Sequence, residues 1–158
     1  EYYFQEGERL HLLLSCLQGN GREATVATHP YIIRTRAEIT RMPAAMRRSL
    51  GAFLTDRLQR FASRPLPVVF MHGDLGYPNL LDSPERLAVL DWENAAEDGI
   101  PIDLNYYRLK RRCLQGKNWR MRTMMDFFAM YQAVLLALRN GNGGELEFWR
   151  RWTEKNPD

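Results

Sequence analysis

The chain has 158 residues, 45% hydrophobic and 26% charged, a balance that suits one soluble globular domain and excludes a disordered or fibrous chain. No apolar run approaches the roughly 18–20 residues of a membrane span, and nothing near Glu1 reads as a signal peptide. The net charge of +3 is modest, with arginine supplying 19 of the 22 basic residues and no lysine before Lys110. Cys16 and Cys113 lie far apart without C-x-x-C spacing, which favours free thiols in a reducing, cytoplasmic setting over a disulfide.

In chain order, residues 8–18 carry an apolar face at helical spacing, stopped by Gly19-Asn20-Gly21. Residues 22–43 mix polar, Pro and Thr positions without a clear period and read as loop with some helix. Residues 44–62 place Met46, Leu50, Phe53, Leu54, Leu58 and Phe61 on one face of a predicted amphipathic helix, ended by Pro65 and Pro67. The short apolar run Val68-Val69-Phe70 leads into MHGDLGYPN. Asn79-Leu80-Leu81 and Leu87-Ala88-Val89-Leu90 then read as a hairpin joined by Asp82-Ser83-Pro84-Glu85, a run rich in turn formers. From Pro101 the pattern returns to helix, first PIDLNYYRLKRRCLQ and then MRTMMDFFAMYQAVLLALR. Asn140 to Gly144 reads as a helix stop and loop before a last amphipathic helix carrying Leu146, Phe148, Trp149 and Trp152. The predicted fold is mainly α with one small β-hairpin, residues 1–158 forming a single domain.

Chemistry-bearing residues gather between Met71 and Asp103: His72-Gly73-Asp74, then Asn79 five residues after Asp74, then Asp91-Trp92-Glu93 at the end of the second strand. Phosphoryl transfer from a nucleotide asks for one carboxylate to orient the acceptor hydroxyl and take its proton. It also asks for oxygen ligands that hold magnesium against the phosphates. Magnesium takes carboxylate and amide oxygens in an octahedral shell that retains several waters. An Asp-x-x-x-x-Asn spacing lets one turn present both a base and a metal ligand, and the hairpin returns Asp91 beside them.

MHGDLGYPNLL followed by LAVLDWENAAEDGIPIDL resembles the HGD-x-x-x-x-N … (I/L)DWE … G-x-P-x-x-DL signature of the aminoglycoside phosphotransferase/choline kinase family. The resemblance implies a protein-kinase-like fold, of which this chain is the C-terminal lobe. It implies that Asp74 is the catalytic base and that Asn79 and Asp91 are magnesium ligands. His72 matches the family's structural histidine, and Asp103 an aspartate that braces the catalytic loop through backbone hydrogen bonds. For Asp103 the residues alone also allow a plain helix N-terminal charge. Glu93 reads either as a metal or substrate contact or as a solvated carboxylate. The implied activity is transfer of a phosphoryl group from ATP, with Mg2+, to the hydroxyl of a small molecule.

A family member also grips the phosphates with a Gly-rich loop and a lysine on an N-terminal β-lobe. Neither is present here: Gly19-x-Gly21 follows a helix pattern, and no lysine precedes Lys110. The expectation is a chain that has lost its N-lobe, binds Mg-ATP weakly and turns over little by itself. One alternative is a non-catalytic pseudo-kinase or binding module, against which the intact Asp74, Asn79 and Asp91 stand. Another is a basic helical nucleic-acid binder using Arg108, Lys110, Arg111, Arg112, Lys117, Arg120 and Arg122, though no base-reading element accompanies them. A metallophosphatase is disfavoured, because of His11, His29 and His72 only the last is near the motif. Glu93, Glu97 and Asp98 either meet a cationic acceptor or are surface charge. Trp92, Tyr106, Tyr107 and Trp119 fit core positions better than substrate stacking.

Overall fold

The computed structural model describes residues 21–83, 87–114, 116 and 119–156. The helix expected over residues 8–18 lies outside these.

Within the segment read as mostly loop, a helix forms over Pro30–Ile39, called α1, with proline in its first turn where the missing N–H costs nothing. It buries Tyr31, Ile32, Thr35 and Ile39. The next helix, α2, runs from Ala44–Met46 through a π-helical stretch at Arg47–Gly51 into Ala52–Arg60. Its apolar face is the one predicted: Leu50, Leu54 and Leu58 are buried, and Met46, Phe53 and Phe61 pack against the same core. The π stretch ends at Gly51, where a Cβ would stand at ordinary contact distance, 3.4–3.6 Å, from Arg47, Ile39 and Met42.

Four short strands follow among the described residues: β1 Val69–Met71, β2 Leu80–Asp82, β3 Leu87–Val89 and β4 Ala96–Gly99. The predicted hairpin is β2–β3, antiparallel with Leu80 opposite Val89 and Asp82 opposite Leu87. A second antiparallel pair, β1–β4, was not expected from the pattern. Ala96-Glu97-Asp98-Gly99 has no strand periodicity, and its pairing depends on Gly99, whose Cβ would fall 2.2 Å from Cβ of Met71. Isolated bridges Arg22–Val68 and Thr25–Pro65 tie the first described residues alongside.

Among the described residues three helices follow: α3 Asp103–Leu114, α4 Met124–Arg139 and α5 Gly143–Lys155. Pro101 stands two residues ahead of α3 rather than inside its first turn. A reciprocal capping box starts α4: Thr123 accepts from Asp126 N, and the Asp126 carboxylate accepts from Thr123 N. Residues 127 through 137 of α4 are all buried, which makes it the central helix, packed against α1, α3 and α5. The stop expected over Asn140–Gly144 is shorter than the sequence suggests. Asn142 caps α5 by accepting from Glu145 N, so Gly143 and Gly144 are already helical.

A smaller apolar cluster of Leu75, Leu80 and Tyr107, joined by Leu87, Val89 and Leu104, seats the β2–β3 hairpin on α3. The main core includes Met71, at the start of the loop that joins β1 to β2. That loop carries His72 to Asn79. Among the described residues no helix is long and apolar enough to cross a membrane. Cys113 is a free, half-buried thiol, its pKa raised by burial.

Candidate functional site

The loop leaves β1 at His72, which is 1% exposed. Two side-chain contacts fix its ring: Nε2 lies 2.8 Å from the Leu90 carbonyl, and Nδ1 accepts from the Asp74 N–H at 3.2 Å. The carbonyl can only accept and the amide can only donate, so the proton is on Nε2. The histidine thereby ties the end of the hairpin to the loop. Trp92 packs edge-on against the ring at 4.6 Å and donates its indole N–H to the Val89 carbonyl.

Asp103, the first residue of α3, is 2% exposed. Its carboxylate accepts from His72 N at 2.8 Å and from Gly73 N at 3.1 Å. Both readings of Asp103 thus describe one geometry, since the side chain sits at a helix N-terminus and also holds the loop's backbone. Gly73 has φ +85°, and a Cβ there would meet the Asn94 carbonyl oxygen at 2.3 Å. Only glycine fits that position without displacing the turn after β3.

Asp74 is half-buried, and the Tyr106 hydroxyl donates to its Oδ1 at 2.9 Å. Burial pushes its carboxyl above the ordinary value; the Tyr106 hydrogen bond and the charge of Lys110 act against this, and the nearby Asp91 carboxylate adds to it. Lys110 lies over the Tyr106 ring and pairs with Glu145 at 3.1 Å. The Tyr106 phenol is held far in its neutral form by burial and by Asp74, so it serves as a permanent donor.

Asn79 closes a 3-10 turn over Tyr77–Asn79. Its Nδ2 donates to the Asp74 carbonyl at 2.9 Å. The Asn79 carbonyl accepts from Leu90 N at 2.9 Å, extending the hairpin ladder by one pair. Asp91 follows directly, exposed and in the left-handed region at φ 59°. The hairpin therefore brings Asp91 next to Asn79, with Asp74 one hydrogen bond further along. Glu93 is exposed in the turn that follows. Of the acidic residues beyond it, Asp98 is taken up by a two-pronged pair with Arg34, at 2.5 and 2.8 Å.

Two contributors to this site were not singled out in the sequence. Tyr106 was assigned to the core, and it is buried, yet its hydroxyl reaches Asp74. Gln132 was passed over inside an apolar helix; it is fully buried and donates from Nε2 to the Gly73 carbonyl at 2.6 Å. A lone amide in so apolar a run was the available signal, because a buried polar group must find partners. His29, away from the motif in the sequence, belongs to the core: it is wholly buried, with Nε2 3.2 Å from the Pro67 carbonyl, and burial lowers its pKa.

Further along α3 a cleft of about 690 Å3 opens between the end of that helix and α5, lined by Cys113, Trp119, Arg120, Phe148, Trp149 and Trp152. Among the described residues no group of three His, Cys, Asp or Glu side chains converges on a metal position. The expected ligand pair of Asn79 and Asp91 offers one amide and one carboxylate oxygen. Comparison of the chain with protein-family models, with curated proteins and with solved structures finds no match.

Proposed function

We propose that the chain is the catalytic, C-terminal lobe of an ATP- and magnesium-dependent phosphotransferase acting on the hydroxyl of a small molecule, of the aminoglycoside phosphotransferase/choline kinase type. The observation that carries this reading is the pairing of Asn79 with Leu90 across the hairpin, which brings Asp91 beside Asn79 while Tyr106 aims the Asp74 carboxylate. The donor set fits magnesium, whose hard, water-rich shell needs only one or two protein oxygens besides the phosphates. Asn79 and Asp91 would hold it, and when bound it would neutralise charge on the phosphates.

The remaining roles fall to this chain's side chains. Tyr106 occupies Oδ1 of Asp74, leaving Oδ2 for the acceptor hydroxyl. As the acceptor oxygen bonds to the γ-phosphorus, its proton passes to Oδ2 and the bond from that phosphorus to the bridging oxygen breaks, releasing ADP. A carboxyl raised by burial is a stronger base than an exposed one, and a positioned base contributes about 10²–10⁴-fold.

Manganese(II), which takes the same oxygen ligands as magnesium, tests the metal half of the reading in the chain itself. The amide signals of Asn79 and Asp91 broaden first, and Asn79→Ala removes the effect. Broadening that starts instead at Glu145 or Glu147 overturns the metal site. Transfer from γ-labelled ATP to a panel of small hydroxyl compounds, by the protein in its full natural length, tests the chemistry.

A further inference from the structure

We infer that Gln132 is a positioning residue for Asp74, gripping the Gly73–Asp74 peptide from the central helix; the inference rests on the reading of Asp74 as the base. The peptide plane between these residues is held at both edges. Its carbonyl, that of Gly73, accepts from Gln132 Nε2 at 2.6 Å, and its N–H, that of Asp74, donates to His72 Nδ1 at 3.2 Å. The plane before it is held by Asp103, at Gly73 N. Glycine at φ +85° has no side chain to restrict rotation, so the plane's orientation is set by these contacts. The angle of the plane decides where the Asp74 Cα–Cβ bond points, and with it the carboxylate.

Gln132 is suited to the task by its surroundings. It is fully buried in α4, where residues 127 through 137 are all inside the core, so its backbone moves little. Its amide has one orientation available: the Gly73 carbonyl can only accept, so the NH2 end faces it, and Oε1 is left to accept from the Tyr31 hydroxyl. Tyr31 is itself buried in α1, at 2% exposure. A buried amide in an apolar helix that served packing alone would be better replaced by Leu or Met. What it adds here is a rigid link from α1 through α4 to the loop that carries Asp74.

The test uses three variants, Gln132→Leu, Gln132→Glu and Tyr31→Phe, with two readouts. The first is the Gly73 carbonyl signal in the 13C-glycine-labelled chain, which needs no activity. The second is kcat and KM for Mg-ATP in the protein of full natural length, normalised to folded protein. Both Gln132 variants move the Gly73 signal while those of Gly51 and Gly99 stay. They lower kcat about 10–100-fold with KM for Mg-ATP unchanged, as a misplaced base about 1 Å from its position would. Tyr31→Phe, which leaves the Gln132 amide less tightly held, gives a smaller change in both readouts and decides the matter should the Gln132 variants fail to fold. An unmoved Gly73 signal overturns the inference, as does an unchanged kcat in an active protein whose Gly73 signal has moved. A wild-type protein without transfer activity refutes the phosphotransferase reading instead, and the carbonyl signal then still decides whether Gln132 anchors the loop.

Discussion

Replacing Asp103 by alanine removes a buried carboxylate that accepts from two backbone amides, His72 N at 2.8 Å and Gly73 N at 3.1 Å. Hydrogen bonds to a charged group contribute about 1.5–3 kcal/mol each, and each buried donor left without a partner costs about 1–3 kcal/mol. Water reaching the vacated space offsets part of this, so the expected loss is about 3–5 kcal/mol. In a domain of this size that corresponds to a fall in Tm of roughly 10 °C. Asp103→Asn keeps the shape and one acceptor oxygen but turns an NH2 toward the second amide, and is expected to lose about half as much. Urea denaturation followed by far-UV circular dichroism measures both, with Glu97→Ala at an exposed position of β4 as the control, expected within about 0.5 kcal/mol of the parent. A loss below about 1 kcal/mol for Asp103→Ala would show that the loop is held by its other contacts and refute the brace.

Asp74 carries a linked expectation of opposite sign. Its pKa is raised in the folded state, chiefly by burial, so its contribution to stability is fully present below the ordinary value of 3.8 and is lost as pH rises through the folded value. Asp74→Asn keeps the Tyr106 contact and should raise Tm at pH 7 while abolishing transfer, with the gain vanishing near pH 3; a gain that persists in acid counts against burial as the cause. Tyr106→Phe removes the donor that favours the charged carboxylate, so the acid limb of the pH–activity profile should move to higher pH; a profile that stays in place shows that the hydroxyl does not tune the base. Gly99→Ala drives a Cβ to 2.2 Å from Cβ of Met71 and should cost about 1–3 kcal/mol in thermal denaturation. A neutral effect there would mean that the β1–β4 pair is not held as closely as described.

How much of this was legible in the sequence follows from where each signal resides. The face of α2 and the β2–β3 hairpin are local patterns, with apolar spacing and turn residues adjacent in the chain, and both were readable. The pairing of β1 with β4 is a contact between segments some 27 residues apart, made by a stretch with no strand pattern, and local reasoning had no hold on it. Helix α1 hid behind polar and Thr positions because only Tyr31, Ile32, Thr35 and Ile39 face inward, and one of those is a threonine bonded to Tyr31 O and Tyr131. Glycines 143 and 144 read as a break, yet the Asn142 cap and Glu145 in the first turn start a helix across them. In the candidate site, His72, Asp74, Asn79, Asp91 and Asp103 stood out by type and spacing. Tyr106 and Gln132 did not, since a hydroxyl or an amide on a buried helix declares its purpose only when its partner is in view.

The left-handed backbone at Asp91 narrows what natural drift can offer there. Asparagine and glycine tolerate that conformation as aspartate does, whereas glutamate, leucine or valine would pay for the same φ with strain. Descendants that keep the turn should therefore show a restricted alphabet at this one site: aspartate, asparagine or glycine. A glutamate there, which preserves the charge and lengthens the reach, should be rarer than any of these, because the backbone rather than the carboxylate would select against it.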